Sequence, residues 1–227
     1  MLLSMADTDE PSSATTVPNS KARSGPTTPS GHEDDVGSEA PGDLELVRSF
    51  LSLHDHAPGI DDSFPPTRPT VERWIRERAL IDKSDPITDE DVLWILDVRT
   101  ALMTKVDENA GAARDHDAIE LLNRAAQDTG LQLCFGCEEN RLHTEAGGPR
   151  GAIGRLLGIA FLAALDGSFH RLRECLDPTC TAVFYDHSKN HSGKWCSMAS
   201  CGNRNKVRKF RERERAARAD AAEPSDR

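Results

Sequence analysis

The chain is short of apolar residues. At 37% hydrophobic over 227 residues it falls below the usual content of a compact globular protein, which excludes one packed unit running from end to end. Positive charge is also scarce, with 28 Lys and Arg against 38 Asp and Glu and a formal net charge of −10. That total argues against a polyanionic partner for the chain as a whole. Fields are screened over about 8–10 Å at moderate salt, however, so the placement of the charge decides the matter. Six cysteines are too few for a disulfide-dense secreted scaffold. The opening Met-Leu-Leu-Ser-Met lacks the cationic and long apolar regions of a signal peptide. The most apolar stretch, 153–165, is too short to span a bilayer and is interrupted by Arg155 and Gly158. Nucleophile elbow, phosphate loop and zinc-protease motif are all missing. The expectation is a soluble, cytoplasmic protein that is not an enzyme.

What is present is segmented. Residues 1–42 are rich in Ser, Thr, Pro, Gly and acids, with the run Glu33-Asp34-Asp35 and only Lys21 and Arg23 as bases. Such a segment cannot bury enough surface to offset its ordering entropy, so it is predicted to be disordered. Residues 219–227 are predicted to be a frayed tail.

Residues 43–167 are predicted to form a helical domain. Leu44, Val47, Phe50 and Leu51 recur at helical spacing and stop at Ala57-Pro58-Gly59. Thr70 is placed to cap a second helix carrying Val71, Trp74, Ile75 and Leu80 on one face. Thr88-Asp89-Glu90-Asp91 has the form of a capping box and opens a helix through Val92, Ile95, Val98, Leu102 and Val106. A fourth helix starts near Asp117 and ends at Asp128-Thr129-Gly130. Leu131–Phe135 alternates like a strand, with 141–144 as its hairpin partner. The stretch from Ile153 to Leu165 is apolar nearly all round, which predicts the central helix of the domain.

The cysteines fall in short-spaced pairs. From Cys175 to Cys201 the spacing is Cys-x4-Cys-x15-Cys-x4-Cys. Two such pairs, each forming a knuckle, can present Cys175, Cys180, Cys196 and Cys201 to one tetrahedral zinc ion. Matched pairs in a reducing setting favour zinc over two disulfides or four bare thiols. Ala182–Tyr185 is predicted to be a short strand between the pairs, and Trp195 a cover over the site. His187 and His191 stand four apart and offer a rival ligand set, but using them would leave one cysteine pair without a role. Cys134-Phe135-Gly136-Cys137 is a lone Cys-x-x-Cys on the hairpin, with no second pair to complete a zinc site and no helix to make a thioredoxin-like motif; it is read as strand and turn cysteines without chemistry.

From Arg204 the chain turns basic, with Arg204, Lys206, Arg208, Lys209, Arg211, Arg213 and Arg215 against Glu212 and Glu214. Residues 204, 208, 211 and 215 share a helical face. Val207 and Phe210 lie on another face, where they are predicted to pack on the zinc core. Alone, a charge run is usually a solvated, salt-bridged face. Behind a zinc module it points to phosphate and base contacts by Arg204, Lys206, Arg208, Lys209, Arg211 and Arg215, with Lys194 joining them from the loop.

Cys201-Gly202-Asn203-Arg204 after Trp195-Cys196 resembles the signature of the CGNR zinc-finger family. The likeness takes in Arg171-Leu172-Arg173, Phe184 to Asn190, and Lys206, Arg208 and Arg211. Where that family usually carries arginines, this chain has Lys189 and Gly193. The region before it resembles the helical domain of stress-induced transcription regulators that accompanies this finger, through Leu-x-x-x-Phe-Leu at Leu46–Leu51. The resemblance implies a transcription regulator of a chiefly bacterial family, holding one structural zinc in residues 168–218. It implies DNA as partner and an N-terminal domain that senses a small-molecule effector, and a homodimer suits palindromic sites. An RNA-binding protein, with Phe184, Tyr185 and Trp195 stacking on bases, and a protein-interaction module without nucleic-acid binding are the alternatives. The expected fold class is mainly α: a helical domain with one small β-hairpin, then a small zinc-knuckle module ending in a basic helix. The acidic N-terminal segment is placed to compete with DNA for that helix.

Overall fold

The computed structural model describes residues 38–56, 63–135 and 140–222. Among these residues the protein is mainly helical, with six α-helices: α1 (Leu44–Leu51), α2 (Arg68–Glu77), α3 (Asp89–Asn109), α4 (His116–Asp128), α5 (Gly148–Asp166) and α6 (Asn203–Ala222). Three antiparallel pairs of strands connect them: β1 (Asp55–His56) with β2 (Ser63–Phe64), β3 (Leu131–Phe135) with β4 (Asn140–Thr144), and β5 (Leu172–Glu174) with β6 (Val183–Tyr185). The single hairpin expected from the sequence is β3–β4, with Leu133 opposite Leu142. Of the other two pairs, β6 forms within the strand predicted at Ala182–Tyr185, whereas its partner β5 and the two-residue β1 and β2 are too short for an alternating pattern to show. The loop at Ala57-Pro58-Gly59 lies outside the described residues.

Local chemistry sets the helix ends. In α3 the capping box forms as the sequence predicts: Asp91 N–H donates to Thr88 Oγ1 at 3.1 Å, and Thr88 N–H to Asp91 Oδ2 at 3.0 Å. In α4 the Asp115 carboxylate accepts from the backbone of Asp117 and Ala118. Thr70 does not cap α2. That helix starts three residues earlier, behind Thr67, and the Thr70 hydroxyl donates instead to the Asp55 carboxylate. Pro69 in the first turn explains the earlier start, since its fixed φ is already helical and its missing N–H leaves no orphan donor. After α4, Gly130 takes φ +61° and turns the chain into β3.

The core lies between α1, α3 and α5, with α2 and α4 covering it. Val47, Phe50 and Leu51 of α1, Ile95 and Val98 of α3, and Ile153 and Leu156 of α5 are fully buried. α5 begins five residues before the apolar stretch and runs 19 residues, long and apolar enough by length and composition to cross a membrane. It is seated on the β3–β4 hairpin at Gly154, where an added Cβ would stand 2.4 Å from Thr144 Cγ2 and 2.8 Å from Thr129 Cβ. Its outer side leaves Phe161, Leu162 and Leu165 exposed.

Two expected boundaries move. Within residues 38–42, assigned by composition to the disordered segment, Ser38 and Ala40 are buried and Tyr185 N–H donates to the Ser38 carbonyl at 2.9 Å, while Glu39, Pro41 and Gly42 are exposed. The limit at residue 168 is one of sequence and not of packing. Leu172, Val183 and Tyr185 of the β5–β6 hairpin belong to the same apolar cluster as α1, α3 and α5. Polar contacts reinforce the join. Arg48, buried in α1, donates to the Val183 carbonyl at 2.9 Å, and Asn109 at the end of α3 donates to the Phe169 and Leu172 carbonyls. Arg99 of α3 caps the end of α1 by donating to the Phe50 and Leu51 carbonyls, and it also reaches the Leu53 carbonyl at 2.7 Å.

Two outcomes are expected. Gly154→Ala should lose about 1–2 kcal/mol of stability in urea unfolding, the strain of overpacking exceeding the gain in helix propensity. A zinc-loaded fragment 168–218 should exchange its Val183 and Tyr185 amides freely, whereas the full chain protects them; equal protection in both would show that the module folds alone.

Candidate metal centre and basic helix

The β5–β6 hairpin delivers the first cysteine pair. Cys175 follows β5 directly, and its N–H donates to the Ala182 carbonyl at 3.0 Å. The chain then turns on Asp177, whose carboxylate accepts from the Thr179 N–H and hydroxyl while its carbonyl accepts from Cys180 N–H. This side chain is 1% exposed. The second pair is set by Ser197, whose hydroxyl accepts from Ser200 N–H and whose carbonyl accepts from Gly202 N–H across a wide turn, Met198–Gly202. Leu176 N–H, donating to the Lys194 carbonyl at 2.9 Å, ties one knuckle to the other.

All four sulfurs lie within 4.8 Å of one another. Cys196 Sγ is 3.7 Å from Cys180 Sγ and 3.5 Å from Cys201 Sγ. A disulfide needs about 2.05 Å. Four sulfurs at zinc–thiolate distance from a tetrahedral centre stand about 3.8 Å apart, so this spacing fits zinc and no disulfide. Cys175 and Cys201 are buried, and Cys180 and Cys196 are half-buried. The chemistry of the protons agrees. Without a cation the S–H groups of Cys180 and Cys196 donate to Cys175 and hold it far below the ordinary thiol range. Cys175 in turn pushes Cys180 up to about 12, and Cys175 and Cys180 together push Cys196 further up. A divalent cation replaces those shared protons with one positive centre.

His187 and His191 take no part in this cluster. His187 Nε2 faces the Glu39 carbonyl at 2.8 Å, and His191 sits on the loop with φ +49°. Among the described residues the four cysteines are the only group of metal-ligating side chains so gathered. Cys134 is half-buried on β3, and Cys137 lies outside the described residues. In the loop between the pairs, the buried Asp186 carboxylate accepts from Ser188 and Gly193 N–H. Burial works to raise its pKa, but these bonds more than offset it and hold it low. A Cβ at Gly193 would stand 2.7 Å from that carboxylate, so any side chain there would have to displace Asp186 from its bonds.

α6 leaves the second knuckle directly. Arg204, Arg208, Arg211 and Arg215 line one shallow groove of about 750 Å³ along it, as their spacing predicts. Lys206, Lys209 and Arg213 are exposed, as is Lys194 on the loop before Cys196. No ion pair joins Glu212 or Glu214 to a neighbouring arginine among the described residues, so the salt-bridged alternative is not built. Arg204 and Arg208 differ from the rest. Both face the Asp177 carboxylate, Arg204 Nε at 2.9 Å and Arg208 Nη1 at 3.7 Å. Val207 and Phe210, expected on the zinc core, are instead 47% and 60% exposed. The helix packs on the Met198–Gly202 turn, where Val207 lines the groove beside Ala199 and Ser200, and Phe210 one turn further on stays mostly exposed.

Two knuckles closing on one tetrahedral point, with a helix issuing from the second, define a zinc-binding module with one structural ion. Residues 171–214 match the CGNR zinc finger family. That match covers the finger and the first part of α6 and leaves the helical domain outside it. A search of curated proteins found no match. Each residue of the motif has a structural task. Cys201 is a ligand, and a Cβ at Gly202 would press on Met198 and Trp195 at 3.0–3.4 Å. The Asn203 amide donates to the Ala199 carbonyl, and Arg204 reaches both Asp177 and Cys201. Trp195 is half-buried beside this turn. Asp177 escaped the sequence reading, although Asp before Pro-Thr between two ligands is turn chemistry.

Replacing one ligand tests the assignment. Cys196→Ser should abolish tight zinc retention by the full chain, with native mass spectrometry showing the metal-free mass after dialysis. Retention of one zinc per chain would contradict the ligand set. Because each ligand binds as a thiolate, the unaltered chain should release zinc progressively as pH falls, followed with a zinc-sensitive dye.

Proposed function

We propose that this protein is a zinc-dependent DNA-binding regulator of transcription. The observation that carries the proposal is the state of α6. Lys206, Lys209, Arg211, Arg213 and Arg215 are exposed without an ion-pair partner among the described residues. They stand on a helix that projects from a rigid metal site. From 204 to 215 seven cations face two acids, a local charge opposite to that of the whole chain. A helix of this kind fits the major groove, with lysines and arginines on the phosphates and arginine able to read guanine. Zinc is structural in this reading, since four protein thiolates leave no position for a reacting water. The zinc in this reading therefore holds the module together and activates no water. Free thiolate ligands suit a reducing cytoplasm.

RNA is the weaker partner. Of the three aromatic residues offered for stacking on unpaired bases, Phe184 and Tyr185 are 4% and 8% exposed and belong to the protein's own packing, and Trp195 is half-buried beside the cysteine turn. The helical domain is assigned the recognition of a small effector and the pairing of two copies, because one short helix reads only a few base pairs and a two-fold protein reads two half-sites.

The test is binding of the zinc-loaded full chain to duplex DNA as salt rises. The logarithm of affinity should fall steeply with the logarithm of salt concentration, and Arg211→Gln should reduce that slope by about one. Absence of binding at low salt would contradict the proposal, and preference for single-stranded RNA over duplex DNA would replace it with the RNA reading. Deleting residues 1–37, which removes six acids and two bases, should tighten DNA binding; unchanged affinity would show that the acidic segment does not compete.

A further inference from the structure

Among the basic residues of α6, Arg204 alone touches the metal site. Its Nη2 stands 3.1 Å from Cys201 Sγ and its Nε 2.9 Å from Asp177 Oδ2. Cys201 belongs to the second knuckle and Asp177 to the first, so one guanidinium spans both. Asp177 is in turn held by Thr179. Four thiolates around one zinc ion leave a net charge of about −2, and an arginine N–H on a sulfur offsets part of it. Arg204 also lies on the first turn of α6, three residues after its sulfur partner. A contact on the first turn fixes where the rest of the helix points.

We infer that Arg204 is a positioning residue of the metal centre, coupling occupation of the four-cysteine site to the direction of α6, and is not a nucleic-acid contact. The planar fork of arginine reaches a sulfur and a carboxylate at once, which the single ammonium of lysine does less well. Asp177 is the other half of the device. It anchors Arg204 to the first knuckle and draws Arg208 toward the same point, 3.7 Å from Oδ1, while Arg208 also donates to the Asn205 side chain. The contacts to phosphate then fall to the residues further along, Lys206, Lys209, Arg211, Arg213 and Arg215. The metal part of this inference stands without the DNA reading; the reassignment of the phosphate contacts rests on it.

The experiment compares the unaltered full chain with Arg204→Gln and Arg211→Gln in three measurements. These are zinc affinity against a competing chromophoric chelator, the thiolate-to-metal charge-transfer band of the cobalt-substituted protein, and the salt slope of duplex DNA binding at saturating zinc. Arg204→Gln should weaken zinc affinity by about tenfold or more, the range for lost partners of metal ligands. It should also shift the charge-transfer band and keep the salt slope of the unaltered chain. Arg211→Gln should keep the affinity and the band and lose about one from the slope. If Arg204→Gln leaves affinity and band unchanged, the inference is wrong, and a slope lowered by about one would make Arg204 a phosphate contact. If the unaltered chain does not bind DNA, the regulatory reading fails while the zinc and cobalt measurements still decide the role of Arg204. Should Arg204→Gln not fold, Arg204→Lys takes its place: a shifted band with intermediate zinc affinity is expected, and a band and affinity equal to the unaltered chain would overturn the inference.

Discussion

Four thiols whose sulfurs lie within 4.8 Å of one another cannot all ionise unless a cation stands among them, and they are too far apart to pair as disulfides. The arrangement of the last fifty residues follows from that constraint. Both knuckles turn toward one point, the Asp177 and Ser197 turns are shaped to face it, and α6 starts where the last ligand ends. A cation at that point takes the place of the protons that Cys180 and Cys196 otherwise hold beside Cys175.

The finger is also an extension of the helical domain. Leu172, Val183 and Tyr185 pack with α1, α3 and α5, and buried Arg48 reaches across to the strand that leads between the two cysteine pairs. Burial of each large aliphatic side chain contributes about 1.5–3 kcal/mol, so this hairpin stabilises both parts at once. A change in the helical core therefore has a direct mechanical route to the metal site through β5 and Cys175.

Much of this was legible in the sequence, and the parts that were not share a cause. Cys-x4-Cys-x15-Cys-x4-Cys is short-range chemistry, and it located the ligand set. The Thr88–Asp91 box and the alternation of Leu131–Phe135 are likewise local signals, and both elements form where they are written. Contacts between distant segments leave no such trace. Thr70 looked like a cap because nothing nearby shows that Asp55 would claim its hydroxyl. Val207 and Phe210 looked like core because apolar residues three apart usually are, but α6 leaves the Met198–Gly202 turn with Val207 only edging the groove beside Ala199 and Ser200 and with Phe210 mostly exposed. Arg204 looked like one more basic residue, and only the folded knuckle reveals Asp177 and Cys201 on either side of its guanidinium.

The central claim is that metal bound by Cys175, Cys180, Cys196 and Cys201 fixes the start of the basic helix. Residue-resolved hydrogen exchange on the full chain, zinc-loaded and chelator-stripped, tests it most directly. Amides of Asn205 to Arg208 should lose their protection when zinc is removed, while those of Val98 and Ile153 in the helical core keep theirs. Unchanged protection at Asn205 to Arg208 in the stripped protein would show that the helix holds its place without the metal, and the account would be wrong.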